Sequence, residues 1–269
     1  MSTFNPLRLE HMTVFDAAPD EMIAIAEELG IPLVSVFLAE GAMEGVRAIT
    51  RAEAPEFLRR VRDSAVRVDS AEVTVLQADA ARAEPLLALA AELGAGTVVA
   101  IDALTRDESE AADGLAALAQ LARTFGLRVG LEPISMGRTR TLPEGVRVIE
   151  RSGAANAGLV VDLLHMVRTG TPVEVLRQID PRLILSGQVC DGPASIDPAK
   201  AIDEAGYERG LPGTGAFPVA EFLAAIPASV TMGLEIPMRS RRLAGTSAKE
   251  RTRLAVEATR RAQAAAAAG

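Results

Sequence analysis

Helix after helix in this chain ends on glycine, and an apolar β-branched run opens directly behind it: EELG before IPLVSVF, AELGAG before TVVAI, RTFG before LRVGL. Gly30, Gly94 and Gly126 stand where a left-handed residue terminates a helix. A helix that returns the chain between successive strands sets those strands parallel. The connecting segments are amphipathic. Leu115, Leu118, Leu121, Ala122 and Phe125 recur three to four residues apart, which gives one apolar face to lay on a sheet.

Eight strand-like runs fall near His11 to Phe15, Leu33 to Phe37, Val66 to Leu76, Thr97 to Ile101, Arg128 to Glu132, Leu159 to Asp162, Leu183 to Gln188 and Val230 to Ile236. Eight alternating units predict a single (β/α)8 TIM barrel of the α/β class. A doubly wound open sheet is the alternative, but no glycine-rich phosphate loop follows the first run. The third run, VRVDSAEVTVLQ, is the least regular, being long and carrying several charges. A length of 269 residues suits one barrel, so a single domain over residues 1–269 is expected.

A net charge of -8 and a pI near 5.0 repel phosphodiester backbones, and no basic cluster interleaved with aromatics occurs. A small-molecule partner is expected, with no nucleic acid and no membrane; a homo-oligomer is compatible with the sequence. Cys190 has no second cysteine to pair with, and MSTFNPLRLE lacks a signal-peptide core, which together predict a cytoplasmic protein. No apolar run approaches the roughly 20 residues that span a bilayer, and the alanine-rich end from Ala262 reads as a fraying helix.

Four of the strand-like runs close on an oxygen-bearing side chain: Glu132 in VGLE, Asp162 in GLVVD, Gln188 in LILSGQ and Glu235 in TMGLE. Ending an apolar strand on a carboxylate is costly unless the group meets water, a donor or a cation. Each residue alone is explained by the start of a loop. Spacings of 30, 26 and 47 residues, however, give all four the same place in successive units, so they converge at the C-terminal mouth of a barrel. Three carboxylates gathered there repel one another unless one stays protonated or a divalent ion binds. The all-oxygen set suits Mn2+ or Mg2+, with Co2+ as an in vitro substitute.

His165 follows Asp162 by three residues and is placed to donate to a substrate oxygen or move a proton. His11, within the first run, reads as a packed interior histidine. After the seventh strand comes DGPASIDPAKAIDEAGYERGLPGTG, rich in Gly, Pro and Asp, a long loop on the catalytic face that covers residues 192–214. Arg209 within it is either a binder of substrate anions or an exposed arginine; Asp191 either orients a neighbour or starts a turn. Arg241 and Arg242 are expected to be solvated.

The segments LEPIS, GLVVDLLHMVRTG, LSGQVCDGP, RGLPGTGAF and MGLEIP, together with HMTVFDAAPDEMIAIAEELGIPLVSVF, resemble the xylose isomerase-like TIM barrels, the sugar phosphate isomerase/epimerase group. The likeness covers nearly the whole chain. It implies that Glu132, Asp162 and Glu235 bind a divalent metal. It also implies that Glu132 and Glu235 act as acid and base on opposite sides of the substrate carbon, with His165 and Arg209 binding substrate oxygens. Many members place a histidine ligand where this chain has Gln188, and bacterial 3-dehydroshikimate dehydratases are similar to this chain in using glutamine there. Thr214 stands where many members carry Glu in a Pro-Gly-Glu-Gly turn. The endonuclease branch, with its histidine-rich trinuclear zinc site, does not fit a chain with two histidines.

The resemblance implies a metal-dependent isomerase or epimerase working through an enediolate on a small keto or hydroxy-carbonyl compound. A lyase removing water from a cyclic keto acid at the same site is the alternative. A non-catalytic ligand-binding barrel is the third possibility, and the intact Glu, Asp, Glu and His set argues against it.

Overall fold

The structure is a computed structural model that describes residues 4–38, 44–77 and 79–268. Eight parallel strands form one closed barrel in sequence order: β1 (Leu7–Leu9), β2 (Leu33–Phe37), β3 (Arg67–Val75), β4 (Thr97–Ile101), β5 (Arg128–Glu132), β6 (Ala157–Asp162), β7 (Ile184–Val189) and β8 (Thr231–Leu234). β1 is bonded to β2 on one side and to β8 on the other, which completes the ring. The (β/α)8 architecture anticipated from the helix-glycine-strand rhythm is therefore the observed one.

Around the ring lie α1 (Pro19–Glu28), α2 (Ala54–Arg62), α3 (Glu84–Glu92), α4 (Glu108–Thr124), α5 (Leu142–Ser152), α6 (Leu163–Arg168), α7 (Val173–Gln178), α8 (Ala201–Tyr207), α9 (Val219–Ala225), α10 (Arg239–Leu243) and α11 (Ala248–Ala268). Gly30, Gly94 and Gly126 do adopt positive φ, at 65°, 85° and 74°. Helix starts are written locally as well: Asp107 accepts from Glu110 N to cap α4, and Thr141 with Glu144 forms a reciprocal capping box on α5. In α4, Leu115, Leu118 and Ala122 are buried in the core, and Leu121 and Phe125 pack against it. Each fully buried leucine of this kind contributes about 1.5–3 kcal/mol relative to exposure. None of the described helices is long and apolar enough to cross a membrane.

Several boundaries differ from the sequence reading. The first strand is Leu7–Leu9 and not His11 to Phe15, whose first four residues form a 3-10 turn. The reason is Arg8: a charged residue inside the barrel breaks the apolar signature of the true strand. Glu235 lies one residue beyond β8 instead of within it, and His165 sits in α6, whose N-terminus Asp162 caps. The segment after β7 contains the 3-10 turn Pro198–Lys200 and α8, so it is not a plain loop. Arg241 is exposed, but Arg242 is half-buried with its guanidinium 5.3 Å from the Phe15 ring centroid.

The barrel interior is filled. A Cβ on Gly130 would meet Val160 Cγ2 at 2.6 Å, so the two strands there already pack without space for a side chain. Buried polar side chains gather in one patch on β1–β3 and another on β5–β8, and Asp102 after β4 joins Thr105 and Thr139 in a third cluster.

Candidate active site

Backbone register delivers the second patch. Asp162 pairs across with Gln188, and Gln188 with Gly233, two residues before Glu235. Since side chains alternate faces along a strand, these strand ends aim their polar groups at a common point. Glu132, Asp162, Gln188, Glu235, His165 and Arg209 are all buried, none more than 7% exposed. Glu132, Asp162 and His165 bring ligand-type atoms within 4.8 Å of one another.

Arg209 is not the exposed loop arginine that its sequence setting allowed. Its Nη1 lies 2.7 Å from Asp162 Oδ2 and 2.8 Å from Glu235 Oε2, while its Nε donates to Ala205 O at 2.9 Å. Asp162 accepts from Leu164 N on its other oxygen, at 2.6 Å. Gln188 Nε2 donates to Glu235 Oε1 at 3.2 Å, and Gln188 Oε1, equally buried, has no hydrogen-bond partner. One guanidinium thus faces three buried carboxylates.

The electrostatics follow. Burial raises the Asp162 carboxyl, but the Arg209 charge and the neighbouring His165 outweigh it and hold Asp162 well below the usual carboxylate range. Glu132 is pushed up to about 8 by burial and by the Asp162 charge, and Glu235 is raised well above its ordinary value by burial, against the pull of Arg209. Arg209 neutralises one carboxylate of the three, and ionising the other two, which their raised pKa values resist, calls for a further cation. An orphaned amide oxygen beside such an excess of carboxylate fits a divalent cation held by Glu132, Asp162, Gln188 and Glu235.

His165 belongs to a different role. Its Nδ1 accepts from Ser135 N at 3.2 Å, which puts the ring proton on Nε2, 3.7 Å from Glu132 Oε1. Burial lowers its pKa to about 4, so the ring is neutral near pH 7. A neutral ring with Nδ1 engaged and Nε2 protonated presents a donor to the pocket. Cys190 touches Arg209 at 3.9 Å, and burial pushes its thiol up, which makes it a poor nucleophile.

Asp191 organises the segment that carries Arg209. Its Oδ1 accepts from Gly192 N at 2.7 Å and Phe217 N at 3.0 Å; its Oδ2 accepts from Gly213 N and Gly215 N, both at 2.9 Å. Its backbone also bridges Gly210, and Arg209 N donates to Pro237 O at 2.7 Å. Of the two sequence readings of Asp191, the structure shows the turn-forming one. Thr214 lies on the exposed tip of this turn and donates to Leu211 O. A buried Arg168–Glu204 ion pair ties α8 to α6, with the Arg168 guanidinium 4.9 Å from the Phe217 ring centroid.

Sequence reasoning missed the patch on β1–β3. Arg8 is buried and holds Glu10 Oε1 at 2.7 Å and Asp69 Oδ2 at 2.8 Å, and Glu72 is hydrogen-bonded by Ser35 Oγ. Glu10 follows the strand LRL as Glu235 follows TMGL. The strand-closing rule that found Glu235 finds Glu10 too, once β1 is placed at Leu7–Leu9. His11, read as a packed interior residue, is fully buried; its Nδ1 accepts from Phe37 N at 3.1 Å, and its ring meets Phe37 edge-on.

Comparison with known proteins adds an independent line. A sequence model described as the xylose isomerase-like TIM barrel matches residues 11–262. A 3-dehydroshikimate dehydratase of Pseudomonas aeruginosa PAO1 is 32% identical over 155 residues, which is 55% of this chain and only 24% of that longer protein. The IolI protein, solved with a bound zinc atom, superposes with a TM-score of 0.79 at 16% identity, over 97% of this chain and 98% of its own. L-ribulose 3-epimerase gives a TM-score of 0.72 at 18% identity, over 97% and 95%. At such identities the two structures speak for the fold.

Proposed function

The chain belongs to the xylose isomerase-like TIM barrel family, and from that premise we propose that it is a divalent-metal-dependent isomerase or epimerase of a small keto or hydroxy-carbonyl compound. The observation that carries the reading is the buried, over-acidic centre with its unpartnered amide oxygen, Glu132, Asp162, Gln188 and Glu235 around a single guanidinium. A bound Mn2+ or Mg2+ supplies Lewis-acid polarisation of the substrate carbonyl.

The protein's own groups do the proton work. Glu132 removes the proton next to the carbonyl, and Glu235 returns one to the other face of the resulting enediolate. His165 Nε2–H, fixed by Ser135, hydrogen-bonds a substrate oxygen where negative charge develops. Arg209 keeps Asp162 ionised and positioned, and its second contact holds Glu235. Burial of every group keeps water away from the enediolate.

A second reading has specific support. Gln188 in a position often taken by histidine, and the 32% identity to a dehydroshikimate dehydratase, favour the same centre eliminating water from a cyclic keto acid. Carbonyl polarisation and α-proton removal are common to both readings; only the fate of the enolate differs.

The test is metal content of the purified protein, then product analysis on a panel of ketoses and 3-dehydroshikimate with wild type and Glu132→Gln. Near-stoichiometric Mn2+ or Mg2+ and conversion of a ketose, lost by at least a thousandfold in the variant, is the expected result (about 4 kcal/mol of barrier). A new aromatic ultraviolet absorbance from dehydroshikimate alone decides for the lyase. Near-normal turnover by Glu132→Gln removes the proton-transfer mechanism.

A further inference from the structure

The β1–β3 patch has no part in the mechanism above, yet it lies beside the β5–β8 patch, one strand away. Gly233 lies between Gln188 on β7 and Arg8 on β1 in the register of the ring. A Cβ at position 233 would collide with Glu10 Oε1 and lie 3.1 Å from Gln188 Cγ. Glycine there lets the Glu10 carboxylate come alongside the proposed metal ligand Gln188, so the two polar patches meet across this notch.

The chemistry of the patch is unusual for a purely structural cluster. Ser70 is the register partner of Ser35 and stands two residues before Glu72 on the same face of β3. Its hydroxyl is buried and has no hydrogen-bond partner. His11, whose Nδ1 is occupied by Phe37 N, carries its proton on Nε2, and that N–H is buried without an acceptor. The Glu10 carboxylate is hydrogen-bonded to Glu72, and its charge is felt as far as Glu132, which ties this patch to the other. Leaving the Ser70 and His11 groups unmade costs about 1–3 kcal/mol each. A ligand that both donates and accepts, which is what a hydroxyl does, satisfies both.

Charge excludes other occupants. Both buried arginines of the interior are already paired, Arg8 with Glu10 and Asp69, Arg209 with Asp162 and Glu235. An anionic substrate tail would face the Glu10 carboxylate with no free cation among the described residues of the interior.

We propose that Glu10, Ser70, His11 and Glu72 form a second subsite that binds the hydroxyl-bearing tail of an uncharged polyhydroxy carbonyl substrate, whose carbonyl end lies at the Glu132–Glu235 centre. The assignment rests on the proposed function and sharpens it: the substrate is a neutral ketose and not a keto acid or a sugar phosphate.

The experiment uses the full chain loaded with Mn2+ and follows the relaxation of water protons at the ion. The probes are hydroxyacetone, which has the carbonyl end only, a panel of ketohexoses and ketopentoses, and 3-dehydroshikimate as the anion. Wild type should bind at least one ketose about tenfold more tightly than hydroxyacetone, the worth of two neutral hydrogen bonds. Glu10→Gln and Ser70→Ala should erase most of that advantage and leave hydroxyacetone binding unchanged. Ser70→Ala removes a hydroxyl with no partner, so it reports even if Glu10→Gln, which loosens Arg8, fails to fold. Ketoses that bind no better than hydroxyacetone, or an advantage that both variants keep, overturn the subsite, as does tighter binding of the anion than of any ketose. Protein that retains no Mn2+ sinks the metal reading instead; calorimetric titration of that protein with the ketoses then decides the subsite separately, by whether affinity exists and drops in Ser70→Ala.

Discussion

His11 stays uncharged in the folded protein down to about pH 4, because burial lowers its pKa from 6.5 to that value. Between those two pH values the unfolded chain binds a proton that the folded chain refuses, so this residue makes stability fall as pH drops from 6.5 to 4 and adds no further slope below. The full effect is about 3 kcal/mol. Urea unfolding at pH 7 and pH 4.5 should show wild type losing more stability than His11→Gln by nearly that amount; equal losses would mean an imidazole of ordinary pKa. At this same scale the sequence was most legible where a strand's apolar run was intact. Glu132, Asp162 and Gln188 stood out because VGL, GLVV and LILSG are unbroken before them. Glu10 was hidden because its strand is three residues long and one of them is Arg8, whose charge is neutralised by residues 2 and 61 positions away. Periodicity carries no information about such a pairing.

At the level of elements, the segment between β7 and β8 is held by one carboxylate. Asp191→Ala strips the acceptor from four backbone N–H groups, of Gly192, Gly213, Gly215 and Phe217. We expect roughly 2–4 kcal/mol of destabilisation and a loss of turnover larger than that of a matched destabilised variant, since Arg209 precedes the pinned turn. Thermal unfolding, limited proteolysis across residues 210–217 and kcat on the assigned substrate check it; turnover that merely tracks stability would make Asp191 a fold residue alone. The sequence marked this segment as important through its length and its Gly, Pro and Asp content. It did not reveal α8, because AIDEAGY is too short for a hydrophobic period, nor the role of Asp191, whose partners lie up to 26 residues downstream and meet it only in the folded turn.

For the molecule as a whole, a cation bound at the mouth would stabilise the closed barrel by mass action. Mn2+ at a hundredfold excess over its Kd should add about 2.7 kcal/mol, several degrees in Tm. A chelator should reverse the shift, and Gln188→Ala should shrink it. Scanning calorimetry with and without Mn2+ reads it directly; an unchanged Tm in wild type would mean that the carboxylates hold no ion. Barrel closure itself was readable from eight repeats of one unit, since that count leaves no strand over. The two polar patches inside it were only half readable: one advertises itself at strand ends, the other is written as charges that interrupt the apolar pattern of β1 and β3.

The seam between β1 and β8 also sets a clock for biosynthesis. At ribosomal rates of about 5–20 residues per second, β1 leaves the ribosome roughly 10–45 seconds before the strand that must bond to its free edge. Throughout that interval the growing chain exposes an unpaired strand and an unfinished interior holding Arg8 and Glu10. The proposed ligands are spread from Glu132 to Glu235, so the set stays incomplete until β8 itself has emerged. An edge left unpaired for that long invites aggregation, and a translational pause upstream of residue 231 would prolong the exposure.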